Sequence, residues 1–263
     1  MTGTLRFETD TGDGVARVVL DNPAKLNAID IAMWDELRAV FERLQALAPH
    51  DAPRAVIVAG ADGQFASGGD IHEFAGFRFD EDRLRDFHEH TVAPALQAML
   101  ACDIPVLARI DGACIGGGLE IAACCDIRIC GAGSRFGAPI AKLGFPMAPG
   151  ELELLVRLGG DAVLRELLLE ARLFDAPRAL QLGLVHAVVA DAAVAEHTLQ
   201  RARQIATLSA QAARINKRML RQLARGGPSA AQRREHFGYA DSAEHREGVA
   251  AFIEKRPARF RPV

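Results

Sequence analysis

Two glycine-rich segments, each following an apolar strand-like stretch, contain the residues best suited to chemistry. The first is FASGGDI, residues 65–71, and the second is DGACIGGGLE, residues 111–120. Glycines at such turns permit positive φ angles and let a ligand come close to bare backbone N–H groups. Where a helix begins, those N–H groups have no internal partner and lie at the positive end of the helix dipole. Two such donors aimed at one oxygen would form an oxyanion hole.

Glu120 follows the second cluster, two residues after Gly118. A carboxylate in the first turn of a helix can simply complement the helix dipole. It can equally act as a general acid or base beside oxyanion donors, and the residues alone leave both roles open. Neither segment has the pattern GxGxxG or GxxxxGK[ST], so the residues of a dinucleotide-binding turn or a P-loop are lacking.

Alternating strand-like and helix-like segments must position these two clusters. Apolar, often β-branched runs predict strands at residues 15–20, 54–60, 105–110 and 126–131. Helical periodicity covers about residues 31–47 and 84–100, and GLEIAACC is helix-like as well. Strands that alternate with helices predict an α/β fold in which the crossovers cover the sheet.

The last third of the chain is predicted to be helical, apart from a short apolar stretch at residues 183–189. From Arg201 to Arg234 the sequence has nine basic residues and no acidic one. Helical spacing places five of them on one face: Arg214, Lys217, Arg218, Arg221 and Arg225. We expect this face to be solvated or turned towards acidic groups of another subunit, with attraction for an anionic ligand as the alternative.

Composition restricts the possible functions. The 263 residues, 49% hydrophobic and 25% charged, are ordinary globular usage and allow one large domain or two small ones. The net charge of −3 and the 6% aromatic content give no reason to expect a nucleic acid partner. The sequence has no apolar run of 18 residues and no recognisable signal peptide, so we expect a cytoplasmic protein without a membrane partner.

The five cysteines are odd in number and form no CxxC pair. Four of them lie between residues 114 and 130 in mostly apolar sequence that contains no histidine. This pattern predicts small core residues of a reduced protein and disfavours a metal site.

Five segments together resemble the enoyl-CoA hydratase/isomerase family, the crotonase superfamily, from about residue 5 to the end of the chain. LDNPAKLNAID is similar to that family's N-terminal segment, and FASGGDI to its first oxyanion segment. DGACIGGGLEIAACCDIRI, followed by SRFGAPIAKLG, is similar to its signature region. DAPRALQLGLVHAVV and the final AFIEKRPARF also fit.

The resemblance implies a crotonase-like ββα spiral over residues 1–195, followed by a C-terminal helical region over residues 196–263. That region would build trimers, often paired as hexamers, and would help to close the coenzyme A site. The implied ligand is an acyl-coenzyme A thioester, and no separate cofactor is implied because coenzyme A is part of the substrate.

The resemblance also assigns residues to roles. The N–H groups of Gly69 and Gly117 would bind the thioester carbonyl oxygen and stabilise an enolate, with Glu120 as the acid or base. The nucleotide end of coenzyme A would be lined by Ala24, Lys25, Ala28, Ala66, Gly68, Asp70 and Ile71. Phe252 and Lys255 would close over adenine and phosphate, in the same subunit or in a neighbour. Asp70 is expected to cap a helix or orient the loop rather than do chemistry.

The sequence departs from the family at one catalytic position. Family hydratases carry a second glutamate in an FGxPE segment, and here Pro139 is followed by Ile140, which cannot donate or accept a proton. Both residues are expected to line the substrate pocket. Glu151 and Glu153 follow later, and we expect them to be carboxylates of a first helical turn. The alternative is that Glu151 supplies the missing group, which fast hydration by the natural protein would indicate.

Full two-carboxylate hydration is therefore in question. An enzyme with one glutamate could still shift a double bond, hydrolyse a thioester or decarboxylate a substrate, and a non-catalytic acyl-CoA-binding subunit is a further alternative. On or after the first oxyanion segment lie His72, Glu73, His88 and His90, where the resemblance implies variable substrate contacts. We expect a lone histidine there at the surface, and none of the four residues in catalysis.

Overall fold

The computed structural model describes residues 2–9 and 12–260. The strands in these ranges are β1 Thr4–Glu8, β2 Val15–Asp21, β3 Ala55–Gly60, β4 Val106–Ile110, β5 Ala113–Ile115, β6 Ile127–Gly131, β7 Arg135–Gly137, β8 Phe174–Asp175 and β9 Ala187–Val189. The α-helices are α1 Ile31–Ala46, α2 Glu81–Asp86, α3 Ala93–Ala101, α4 Gly117–Cys124, α5 Pro149–Leu169, α6 Ala176–Gln181, α7 Val194–Ala206, α8 Ala210–Ala224, α9 Ala230–Glu235 and α10 Ala243–Ile253. The four predicted strands are confirmed as β2, β3, β4 and β6.

The main sheet has six strands in the order β1-β2-β3-β4-β6-β9, parallel except where β1 pairs with β2. Every residue of β3 is buried, as expected for a parallel strand covered on both faces. Val56 and Val58 pack in the apolar cluster that contains the buried face of α1, whereas Ile57 packs with α7 on the other face. The predicted α/β class is therefore confirmed.

A second, three-stranded sheet, β5-β7-β8, positions the glycine cluster before α4. Its strand β5 runs parallel to β7, and the Gly116 N–H donates to the Gly137 carbonyl oxygen at 2.8 Å. Because β7 leads directly to Pro139, this sheet also fixes where the segment with Ile140 begins. The three-stranded sheet therefore sets both the position of the glycine cluster before α4 and the start of the segment that contains Ile140.

Helix α7 packs on the main sheet, where Ala202 and Ala206 lie in one apolar cluster with Ile57 and Leu107. The domain boundary predicted at residue 195 falls inside this helix, so the sheet core includes α7. The five cysteines are buried and free, which confirms their assignment to the core. None of the helices in the described ranges combines the length and apolarity that crossing a membrane requires.

Three of the five residues on the basic face of α8 bind acidic groups of the same chain, whereas Arg225 is exposed. Lys217 forms an ion pair with Asp126 at 2.7 Å, and both Arg218 and Arg221 bind the buried Asp103, at 2.9 and 2.6 Å. Burial would raise the pKa of Asp103, but the hydrogen bonds from Arg221 and Arg218 lower it overall. For these three residues the expectation of a solvated or intersubunit face was wrong, because helical spacing reveals which residues share a face and not what covers it.

Candidate active site

The two glycine-rich turns lie side by side because a β-bridge joins them. The Ala66 N–H donates to the Ala113 carbonyl oxygen at 2.8 Å, and the Ile115 N–H donates to the Ala66 carbonyl oxygen at 3.0 Å. A Cβ on Gly118 would lie 2.7 Å from that Ala66 oxygen, so only glycine permits this approach. Gly116 has φ 49° and ψ −117°, a conformation that side chains rarely adopt.

The N–H groups of Gly69 and Gly117 are available to a ligand. Gly117 is the first residue of α4, where backbone N–H groups have no partner within the helix. Among the described residues, neither N–H donates a hydrogen bond to a carbonyl or a side chain. Both glycines line one cavity of about 210 Å³. The structure therefore brings the two predicted oxyanion residues to the same space.

Glu120 lines this cavity from the first turn of α4. Burial in the largely apolar wall and, to a smaller extent, the nearby Glu151 raise the pKa of Glu120 to about 8, with Arg78 partly opposing both. At neutral pH the Glu120 carboxyl is consequently mostly protonated and holds a proton it can donate. A residue that only complemented the dipole of α4 would need to be ionised, so the mostly protonated state of Glu120 favours the acid–base role.

Glu151 is a site residue that sequence reasoning did not assign. It lies in the first turn of α5, as expected, but it is only 3% exposed and lines the same cavity as Glu120. Its Oε1 is 3.0 Å from His88 Nδ1. Glu153, by contrast, has a side chain that is 66% exposed and pairs with Arg157. The two expected first-turn carboxylates therefore differ in burial, which the sequence did not indicate.

The four polar residues near the first oxyanion segment occupy different environments, two at the surface and two in the cavity lining. His72 is exposed, and His90 pairs with Asp86 on the surface, as expected. Glu73 lines the cavity, and its Oε2 accepts a hydrogen bond from the Ile31 N–H at 2.8 Å. His88 also lines the cavity, so the expectation of a surface position was wrong for this histidine. A turn of π-helix at residues 87–92, which periodicity did not reveal, contains His88.

Arg78 is the cation of the cavity. Its guanidinium carbon lies 4.1 Å from the centroid of the Phe74 ring and 3.7 Å from that of the Phe145 ring. Burial lowers the pKa of Arg78, and the charges of Glu120 and Glu151 partly restore it. Its Nε is buried and has no hydrogen-bond partner among the described residues. The positive charge is thus held by aromatic faces and shared between two carboxyl groups.

Both predicted substrate-pocket residues line the cavity. Pro139 precedes a short 3₁₀ turn over residues 140–143, and Ile140 is half-buried at its start. Gly68, Asp70 and Ile71 line the cavity as well. The position at which the resemblance would require a second glutamate is therefore part of the cavity lining, and Ile140 presents an aliphatic side chain at that position.

Lys25 and Asp70 bind each other. The Lys25 Nζ lies 2.5 Å from Asp70 Oδ2, and the buried Asp70 also accepts from the His72 N–H, which caps the 3₁₀ turn at residues 71–76. Burial would raise the pKa of Asp70, but Lys25 and the His72 N–H lower it overall. Asp70 therefore caps and orients the loop, as expected. Ala24 is exposed near Lys25, whereas Ala28 and Ala66 are buried.

Phe252 and Lys255 lie away from the Glu120 cavity of their own chain. Phe252 is 86% exposed and lines a separate cavity of about 640 Å³, which shares no lining residue with the first. Lys255 is exposed just after α10 and lines neither cavity. Neither residue therefore contributes to the lining of the Glu120 cavity in its own chain.

Comparison with known proteins shows which family this chain belongs to. The family model described as enoyl-CoA hydratase/isomerase matches residues 10–262. A probable enoyl-CoA hydratase of Rhizobium meliloti (strain 1021) is 35% identical, and the match covers 98% of this chain and 99% of the relative. The 2,3-dehydroadipyl-CoA hydratase of Escherichia coli (strain K12) is 31% identical, with 94% and 95% covered.

Solved structures are similar over the same extent. An enoyl-CoA hydratase/carnithine racemase from Magnetospirillum magneticum has a TM-score of 0.92 at 35% identity, covering 98% of this chain and 96% of that one. An enoyl-CoA hydratase from Bacillus anthracis has a TM-score of 0.85 at 26% identity, covering 99% of both chains. The likeness includes the sheets and the C-terminal helices, which confirms the predicted crotonase-like fold.

Proposed function

The chain belongs to the enoyl-CoA hydratase/isomerase family of acyl-CoA-transforming enzymes, and we propose that it acts on an enoyl-CoA through a thioester enolate. Gly69 and Gly117 hold the thioester oxygen, and Glu120 transfers a proton at the adjacent carbon. The observation that supports this most is that two unpartnered N–H groups and one protonated carboxyl line the same cavity.

Each part of this arrangement contributes to the same transition state. Negative charge develops on the thioester oxygen as the enolate forms, and donors fixed beforehand stabilise it without reorganisation. One such donor is typically worth about 3 to 4 kcal/mol of transition-state stabilisation. Because Glu120 is mostly protonated near neutral pH, it can deliver its proton to the enolate carbon. Its carboxylate form can remove a proton from that carbon in the reverse direction.

The proposal extends to the nucleotide end of coenzyme A, which lies near Lys25 in the arrangement we favour. Lys25 is partly exposed and already oriented by Asp70, so it can meet a phosphate at the rim of the site. Phe252 and Lys255 do not line the Glu120 cavity of their own chain, and in the arrangement we propose a neighbouring copy supplies them. We therefore propose a trimer or a multiple of three, and light scattering from a stable monomer or dimer would refute it.

A panel of coenzyme A esters tests the proposed reaction. Crotonyl-, 3-enoyl- and malonyl-type esters are incubated with the protein and with Glu120→Gln, and the products are identified by mass spectrometry. We expect hydration of crotonyl-CoA or a shifted double bond in the 3-enoyl ester, lost in the variant. Free acid with free coenzyme A would instead indicate a hydrolase, and loss of carbon dioxide a decarboxylase. Binding without any product would indicate a non-catalytic subunit.

A further inference from the structure

The Glu120 cavity contains a second buried carboxyl group, and we propose that Glu151, positioned by His88, exchanges the proton of water during hydration. This assignment rests on the proposed function, since it needs the enolate chemistry of Gly69, Gly117 and Glu120. It gives Glu151 the role that Ile140 cannot fill, from an element that begins later in the chain.

Elimination among the acidic residues of the cavity leads to Glu151. Four acidic side chains line it: Asp70, Glu73, Glu120 and Glu151. Asp70 is bound by Lys25 and the His72 N–H, and Glu73 accepts from the Ile31 N–H. Glu151 is only 3% exposed, whereas Glu73 is half-buried, and the contact of Glu151 among the described residues is with the His88 imidazole. Of the four, Glu120 and Glu151 are therefore the buried carboxyl groups that no lysine or backbone N–H of the described residues binds.

Burial of Glu151 needs an explanation that a helix-terminus charge does not supply. A carboxyl group at the start of α5 could interact with the helix dipole while remaining in water, as Glu153 does in the same helix. Removing a carboxyl group from water is unfavourable unless a partner offsets the lost hydration. Glu151 is instead turned inward against His88 and close enough to Glu120 to affect its ionisation. Such a costly position is typical of functional carboxyl groups.

His88 is anchored for this contact. It belongs to a turn of π-helix at residues 87–92, and such turns occur frequently at functional sites. The preceding Phe87 stacks on Phe77 with ring centroids 4.2 Å apart, which fixes the start of that turn. A carboxylate can only accept hydrogen bonds, so Nδ1 donates to Glu151 whenever Glu151 is ionised. His88 is thus a positioning residue that orients one carboxylate oxygen and leaves the other towards the cavity.

The charged groups of the cavity allow Glu120 and Glu151 to take different roles in proton transfer. Arg78 lines the same cavity and interacts electrostatically with both carboxyl groups, so its positive charge stabilises whichever of them is ionised. Glu120 is the group that keeps its proton at neutral pH. Adding water to a double bond requires one group that gives a proton and one that takes it, and two carboxyl groups lining a single cavity can divide these tasks.

The proposed step balances as follows. The water oxygen forms a bond to the β-carbon while its proton passes to Glu151, and the π electrons move to the thioester as an enolate held by Gly69 and Gly117. The enolate then takes the Glu120 proton at the α-carbon. One water has been added, Glu151 is protonated and Glu120 is ionised. Transfer of a proton from Glu151 to Glu120 restores the starting state.

Two reactions of the same protein separate the roles of the two carboxyl groups. Hydration of crotonyl-CoA needs both, whereas exchange of the α-hydrogens of butyryl-CoA with D₂O needs only Glu120 and the oxyanion donors. We expect Glu151→Gln to lower kcat for hydration by about 10²- to 10⁴-fold and to leave α-exchange within about threefold. Glu153→Gln is the matched control, and it should leave both reactions unchanged. Calorimetry with acetyl-CoA verifies that each variant still binds.

His88 is tested by a pair of variants. His88→Ala should lower kcat for hydration by about 10-fold or more with little change in KM, because Glu151 loses its orientation. His88→Asn keeps an N–H donor near the position of Nδ1 and should recover most of that loss. Equal loss of α-exchange in either His88 variant or in Glu151→Gln would mean a merely structural role and would overturn the assignment.

The remaining outcomes are also decisive. Unchanged hydration in Glu151→Gln would overturn the role of Glu151 and leave the proposed function intact. The same holds if the natural protein exchanges α-hydrogens but does not hydrate crotonyl-CoA. A natural protein that performs neither reaction would refute the proposed function together with this inference.

Discussion

The two glycine turns and the segment from Ile140 to Glu151 build opposite parts of the proposed chemistry in different ways. The turns supply backbone N–H groups, and a β-bridge between Ala66 and Cys114 holds them together. The later segment supplies a side chain, and it consists of a 3₁₀ turn followed by the start of α5. Backbone donors need a particular chain path, whereas a carboxyl group needs only some element that reaches the cavity.

This difference explains why one region keeps the family's residues and the other departs from them. Gly118 cannot be replaced without separating the turns, since a Cβ would meet both the oxygen and the Cβ of Ala66 at less than 3 Å. At Ile140 no comparable restriction acts, because the side chain is half-buried and faces the cavity. A function carried by a side chain can therefore move to Glu151, while one carried by the backbone stays in place.

The largest effect is expected for Glu120→Gln. This variant keeps the size and hydrogen bonding of the side chain but cannot transfer a proton. Hydration and α-exchange should both fall by about 10²- to 10⁴-fold, while acetyl-CoA binding measured by calorimetry stays nearly constant. Here the variant differs from Glu151→Gln, which should spare exchange. Activity that persists in Glu120→Gln would mean that Glu120 is only a charge at a helix terminus.

A smaller effect should separate the two regions by stability. Gly118→Ala forces Ala66 away from α4 and should lower the free energy of unfolding by about 1 to 3 kcal/mol, with loss of kcat. Gly150→Ala, in the first turn of α5, meets no atom within 4 Å and should be neutral or raise that free energy by up to about 1 kcal/mol. Urea unfolding measures both. Equal effects at the two glycines would contradict the contrast drawn between the regions.

Sequence patterns predicted the elements and site residues whose structure depends on residues that are neighbours in the chain. The periodicity of α1, the buried strand β3 and the glycine turns all follow from residues that are close together in the chain. Glu151 could not be assigned in that way, because its burial depends on His88, 63 residues earlier. The contacts of Lys217 and Arg221 likewise depend on Asp126 and Asp103, which approach only in the folded chain. Such long-range contacts leave no trace in periodicity.

The smallest effect is expected at Ile140 itself. Ile140→Glu would restore the family's residue, but the role is already filled if Glu151 acts on water. A third carboxyl group in a cavity with Glu120 and Glu151 also carries a cost of desolvation and repulsion. We therefore expect no gain in the rate of crotonyl-CoA hydration. A gain of about 10-fold or more would indicate that the natural protein lacks a second group.

The division of labour at Glu120 is tested most directly by the pH dependence of kcat/KM for hydration and for α-exchange, measured on one preparation from about pH 6 to about pH 9. Hydration uses the protonated form of Glu120, so it should fall as the pH rises through its pKa of about 8. Exchange begins when the Glu120 carboxylate removes a proton, so it should rise through the same pH. Two profiles that cross in this way would support one acid and one separate base. Profiles that rise together, fall together or stay flat across that range would contradict it.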